Sequence, residues 1–65
     1  MIEKTLNSDW PYLVWSSNMI CNYSAIDQWC YKNWGSNGVL WSDGEIGWLV
    51  KNYDQALILV LTWDY

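Results

Sequence analysis

Seven tryptophans occupy a chain of only 65 residues: Trp10, Trp15, Trp29, Trp34, Trp41, Trp48 and Trp63. Five tyrosines accompany them and phenylalanine is absent. A chain this short forms one domain, residues 1–65, with a small interior. Large rings are one way to make that interior sufficient. Each buried aromatic removes roughly 150–250 Å² from water, on the order of 4–6 kcal/mol at about 25 cal/mol per Å². The same shortage of interior makes self-association a natural supplement, and a homodimer is expected.

The segment 24–34 has the clearest pattern. Ser24 suits an N-cap, with Asp27 three positions on as in a capping box. Ile26, Trp29, Cys30 and Trp34 fall on one helical face. Gly35 stands where a left-handed C-terminal cap belongs. The spacing predicts a helix over 24–34, followed by a loop at Gly35-Ser36-Asn37-Gly38.

Beyond that loop, Val39-Leu40-Trp41-Ser42 and Glu45-Ile46-Gly47-Trp48-Leu49-Val50 flank Asp43-Gly44, a strong signal for a two-residue type I′ hairpin. That register sets Trp41 opposite Ile46 and Val39 opposite Trp48. It places Val39, Trp41, Ile46, Trp48 and Val50 on the core side of the sheet. Gly47, inside a strand, suggests a bulge or a close approach by another group. Asn52, with Gln55 three positions on, can cap a short helix over 53–57, and the branched run Ile58-Leu59-Val60-Leu61-Thr62-Trp63 then reads as a strand. A single continuous helix from Asn52 to Trp63 competes with that reading. Tyr12-Leu13-Val14-Trp15 suits a further strand and Ser16-Ser17-Asn18 a turn, with Met19, Ile20 and Tyr23 packing near the helix entry. The expected fold is α+β, one main helix packed on a small, mainly antiparallel sheet of three or four strands.

Charge and chemistry narrow the functions. Three lysines and seven acids leave a net charge of −4, and the lysines form no basic stripe, which disfavours direct nucleic-acid binding. No apolar run approaches the roughly 20 residues of a membrane span. The first residues lack the pattern of a secretory signal, so a cytosolic chain with free Cys21 and Cys30 is expected; a disulfide between them is the alternative in a secreted protein. Histidine, the commonest general base and metal ligand, is absent. Two cysteines alone cannot complete a four-ligand zinc site, and Cys30 on an apolar helix face reads as structural. Asp43 and Glu45 read as a turn former and a solvated strand residue rather than a catalytic carboxylate pair. Neither enzymatic activity nor a cofactor is expected.

Binding remains. Tryptophan and tyrosine are enriched in interface hot spots. Trp29, Trp34, Trp41, Trp48 and Trp63 fit core positions. Trp10, Tyr12, Trp15, Tyr31, Tyr53 and Tyr65 have no core role, and with Asp54 and Asp64 they form the candidate interface. Such acids favour a basic partner surface.

Trp29-Cys30, Trp34-Gly35, the Trp41 strand, Tyr53-Asp54-Gln55-Ala56 and Leu61-Thr62-Trp63 carry a resemblance, over residues 26–65, to small accessory proteins of tailed, T4-like bacteriophages. The resemblance implies a phage context and the host cytoplasm. Phages encode compact inhibitors of host enzymes and defence systems, anti-CRISPR proteins among them. The reading that follows is a non-enzymatic protein that binds and modulates a host protein. A homo-oligomeric virion or assembly component, an acidic DNA mimic and a carbohydrate binder are the alternatives.

Overall fold

The structure, a computed structural model, describes residues 1–63. It is an α+β arrangement: β1 (Ile2–Lys4), β2 (Tyr12–Val14), α1 (Ser17–Cys21), α2 (Tyr23–Trp34), β3 (Trp41–Asp43), β4 (Trp48–Val50) and α3 (Tyr53–Trp63). The four strands form one antiparallel sheet in the order β1-β2-β4-β3. Pairing sets Val14 opposite both Ile2 and Trp48, and Val50 opposite both Tyr12 and Trp41. These residues share one sheet face, against which the helices bury Met19 of α1, Ile26 and Cys30 of α2, and Ala56 and Leu59 of α3. The other face carries Glu3, Leu13, Ser42 and Leu49, none of them buried.

Helix α2 begins one residue before Ser24. Asn22 is its N-cap and makes no side-chain capping bond, so Ser24 lies inside the first turn. Asp27 is not part of a capping box, because its carboxylate is taken by Trp48. The C-terminal end follows expectation: Gly35 has φ 86° and its N–H donates to the Tyr31 carbonyl. Ser16 is not in a turn but caps α1, accepting the Met19 N–H at 3.1 Å.

The hairpin exists, but its tip is not Asp43-Gly44. Trp41 pairs with Val50 and Asp43 with Trp48, and the Gly44 N–H donates to Gly47 O at 2.7 Å, so the chain reverses at Glu45-Ile46. A type I′ turn needs positive φ at both central residues, and among the described residues only Gly35 and Gly38 have it. Asp43 is held in β3 by its own side chain, which accepts from the Tyr23 hydroxyl (3.2 Å) and the Asn37 amide (2.8 Å). The reversal is therefore displaced along the chain by an even number of residues, which leaves the sidedness of Trp41, Trp48 and Val50 intact. Val39 and Ile46, read as core, are instead exposed. Gly47 marks a close approach: a Cβ there would lie 2.3 Å from Val14 O.

The C-terminal strand is not formed. Residues 53–63 are one helix, started by a reciprocal cap in which Asn52 Oδ1 accepts the Gln55 N–H (2.9 Å) while Gln55 Oε1 accepts the N–H groups of Lys51 (3.0 Å) and Asn52 (3.3 Å). Gln55 Nε2 donates to Leu40 O, so this 8% exposed amide ties the helix start to the chain entering β3. No glycine or proline interrupts the segment, and Gln55, Ala56, Leu59 and Trp63 make a stripe at helical spacing against the sheet.

Gly47→Ala forces β2 and the hairpin apart. Urea denaturation should show a loss of about 2–3 kcal/mol, the range of an overpacked core, whereas Ser24→Ala should change stability by less than about 0.5 kcal/mol.

Candidate functional site

Two side-chain groups stand out, one at the surface and one at the junction of α2 with the hairpin. The surface group starts in the loop between β1 and β2. Thr5 Oγ1 donates to Trp10 O (2.6 Å), and Asn7 Oδ1 accepts the N–H groups of Asp9 (2.8 Å) and Trp10 (3.3 Å), which fixes the approach to β2. The Lys51 ammonium then lies 4.1 Å from the centre of the Trp10 ring and donates to Asp9 O. Next along β2, Tyr12 meets Tyr53 edge-on at 5.8 Å. Tyr53 opens α3, whose outward ridge continues through Asp54, Leu57, Ile58 and Leu61. Tyr53 is 51% exposed, Ile58 45% and Leu61 59%, values that mark a helix apolar on its solvent side as well as its buried side.

The structure thus brings Tyr12 against Tyr53, which Asp54 follows on α3, and sets Trp10 under Lys51 at the approach to β2. Trp10 and Tyr12 are half-buried rather than open, because each ring is already engaged, Trp10 by Lys51 and Tyr12 by Tyr53. Trp15 is likewise half-buried, at the far end of β2, where its indole N–H donates to the Glu3 carboxylate. Tyr31 is 63% exposed but lies on α2, outside this surface. Asp64 and Tyr65 lie outside the described residues. Ile58 and Leu61 did not stand out in the sequence, since a strand reading buries both; the Asn52/Gln55 cap is the signal that places them on a helix face.

The second group is polar. Trp48 is fully buried, its ring tilted against Tyr23 at 4.9 Å and its indole N–H donating to Asp27 Oδ1 at 2.8 Å. Burial holds the Asp27 carboxyl above the ordinary aspartate range, with the negative charge of Asp43 adding to the rise and the Trp48 bond opposing it, and the Asp43 carboxylate accepts from Tyr23 and Asn37. The side-chain partners of Asp43 are therefore Tyr23 and Asn37 across the fold, not the adjacent Glu45. Burial first, then the neighbouring carboxylates, push the Tyr23 hydroxyl and the Cys30 thiol each up to about 12. A thiol held that high is a buried hydrophobe rather than a nucleophile.

No cavity opens among the described residues. No group of three or more His, Cys, Asp or Glu among them is placed to hold a metal ion, and none of their helices is long and apolar enough to cross a membrane. No protein-family model, curated protein or solved structure matches the chain.

The helical reading of α3 separates neighbours sharply. Leu59→Ala should cost about 2–5 kcal/mol in denaturant unfolding, while Leu61→Ala should stay within about 0.5 kcal/mol. A strand over 58–63 would instead put Leu59 and Leu61 on one face with similar costs.

Proposed function

We propose that this chain is a small, non-enzymatic, phage-encoded protein that binds a host protein in the host cytoplasm and modulates or inhibits it. The observation that carries the reading is the outward ridge of α3, where Tyr53, Ile58 and Leu61 expose apolar surface along a helix that opens beside Tyr12 and Trp10. A convex, apolar helix face suits insertion into a groove on a partner, with anchors at steps of three and four residues. Asp54 on the ridge and exposed Asp9 beside Trp10 favour a partner groove rimmed by basic residues and speed the encounter. The phage context rests on the sequence resemblance over residues 26–65.

The test compares tagged wild type with Leu61→Asp, a change at an exposed position that leaves the fold intact by circular dichroism. Affinity purification from host lysate with mass spectrometry should recover one host protein with the wild type and lose it with Leu61→Asp. Recovery of the same proteins by both, or of nothing above background, contradicts the proposal. Light scattering on the same samples identifies the homo-oligomeric alternative: a wild-type dimer that Leu61→Asp converts to monomer assigns the ridge to self-association instead.

A further inference from the structure

We propose that the outer edge of β1 is a docking site for an extended segment of a partner protein, which adds antiparallel to it as a fifth strand of the sheet. The segment reads acid, base, apolar, set opposite Lys4, Glu3 and Ile2 in that order. The site lies on the sheet edge and uses none of the α3 ridge.

The hydrogen-bond rhythm of the β1–β2 ladder carries the inference. Met1 and Trp15 exchange both bonds: the Met1 ammonium donates to Trp15 O at 2.8 Å, and the Trp15 N–H donates to Met1 O at 3.0 Å. In an antiparallel pair such exchanges recur at every second position. Glu3 with Leu13 is the next, and the Thr5 N–H, donating to Pro11 O at 2.8 Å, keeps the same phase. The backbone groups of Ile2 and Lys4 therefore point away from β2. Since β1 is an end strand of the order β1-β2-β4-β3, no strand of the sheet lies on that side. The outward N–H and C=O groups are a template for one more strand.

The opposite end of the sheet is closed. The Gly38 N–H donates to Trp41 O at 2.7 Å and the Asn37 amide to the Asp43 carboxylate at 2.8 Å, so the loop before β3 occupies its outer edge. The loop after β1 turns its bonds inward instead, Thr5 Oγ1 donating to Trp10 O and Asn7 Oδ1 accepting from Asp9 and Trp10.

Side chains choose the occupant. A second copy fits badly: the antiparallel register that uses the outward groups of both strands pairs Ile2 with Lys4 and sets Glu3 against Glu3, like charges in direct opposition. Sliding the register to pair Lys4 with Lys4 repeats the conflict between cations. A different strand removes both conflicts. The position opposite Glu3 exchanges no ladder bonds with it, and there Cα atoms come closest, about 4.5 Å apart. A Lys or Arg at that position meets the exposed Glu3 carboxylate, which the Trp15 indole N–H holds in place through one oxygen. An acid opposite exposed Lys4 forms the second pair. Opposite half-buried Ile2, on a strand that packs against α3, an apolar residue extends the core. Main-chain bonds hold such a strand, and alternate side chains select it.

The test uses the ¹⁵N-labelled full chain and capped synthetic peptides. Thr-Glu-Lys-Val-Thr has the matching order, and Thr-Lys-Glu-Val-Thr exchanges its two charges. Titration to millimolar peptide should move the Ile2, Glu3 and Lys4 amide signals saturably with the first peptide. The second should bind roughly tenfold more weakly, because two charge pairs change sign. Exchange of the Ile2 and Lys4 amide protons should slow in the complex, whereas that of Glu3, already paired with Leu13, should not change. N-methylation of the matching peptide at its Glu nitrogen, which removes the donor to Lys4 O, should abolish binding. In the double variant Glu3→Lys/Lys4→Glu the preference should reverse. Leu61→Asp should bind like the wild type, which separates this site from the ridge. Absence of a saturable shift at β1, equal affinity for the two charge orders, or unchanged Ile2 and Lys4 exchange in the complex overturns the proposal. So does light scattering that shows a wild-type dimer split by Lys4→Pro, a change that removes an outward donor, since it assigns the edge to a second copy. If the double variant fails to fold, the wild-type measurements with the three peptides decide alone.

Discussion

The buried indole of Trp48 is the interaction on which the rest of this small fold depends. Its strand, β4, lies inside the sheet, paired with β2 on one side and β3 on the other. From there its ring reaches the α2 side, resting on Tyr23 and donating to Asp27. One residue thus joins the sheet to the longest helix by ring packing and by a hydrogen bond, which spares a buried indole N–H the cost of going unpaired. The consequence is an acid drawn into a partly buried junction, where a second acid, Asp43, already stands. The fold accepts this cost in exchange for a satisfied indole.

A core this thin cannot hide every apolar side chain. Among the described residues, the sheet and the three helices bury nine hydrophobic ones completely or nearly so, two of them tryptophans. The other rings lie around that centre: Trp29 and Trp34 pack on each other edge-on at 5.1 Å, and Trp10 lies beneath Lys51. Helix α3 shows the limit most clearly. Leu59 faces the sheet, and Leu61, two residues on, faces water. The surface proposed for binding is the part of α3 that the interior had no room for.

The sequence foretold the elements that announce themselves locally. Gly35 closes α2, Asn52 and Gln55 open α3, and the hairpin turns Trp41, Trp48 and Val50 inward as expected, though not Val39 and Ile46, because caps and strand alternation are short-range properties. What escaped depends on distant partners. Asp-Gly signals a turn in isolation, yet Tyr23 and Asn37 hold Asp43 in the strand. The run Ile58 to Trp63 fits a strand or a helix equally well by composition, and the cap six residues earlier settles the choice. The surface proposed for binding was half legible: Tyr53 and Asp54 stood out as unassigned, whereas Ile58 and Leu61 could be placed only once the helix was known. The Asp27–Asp43 pair, 16 residues apart in sequence by the difference of their numbers, left no local signature at all.

The most direct test of this account is the stability of Trp48→Phe against Trp15→Phe in urea, followed by far-ultraviolet circular dichroism. Trp48→Phe loses the Asp27 bond and part of the packing on Tyr23, and should cost at least about 2 kcal/mol; Trp15→Phe, at a half-exposed site, should cost less than about 1 kcal/mol. Equal and small losses at both positions would contradict the central role of Trp48.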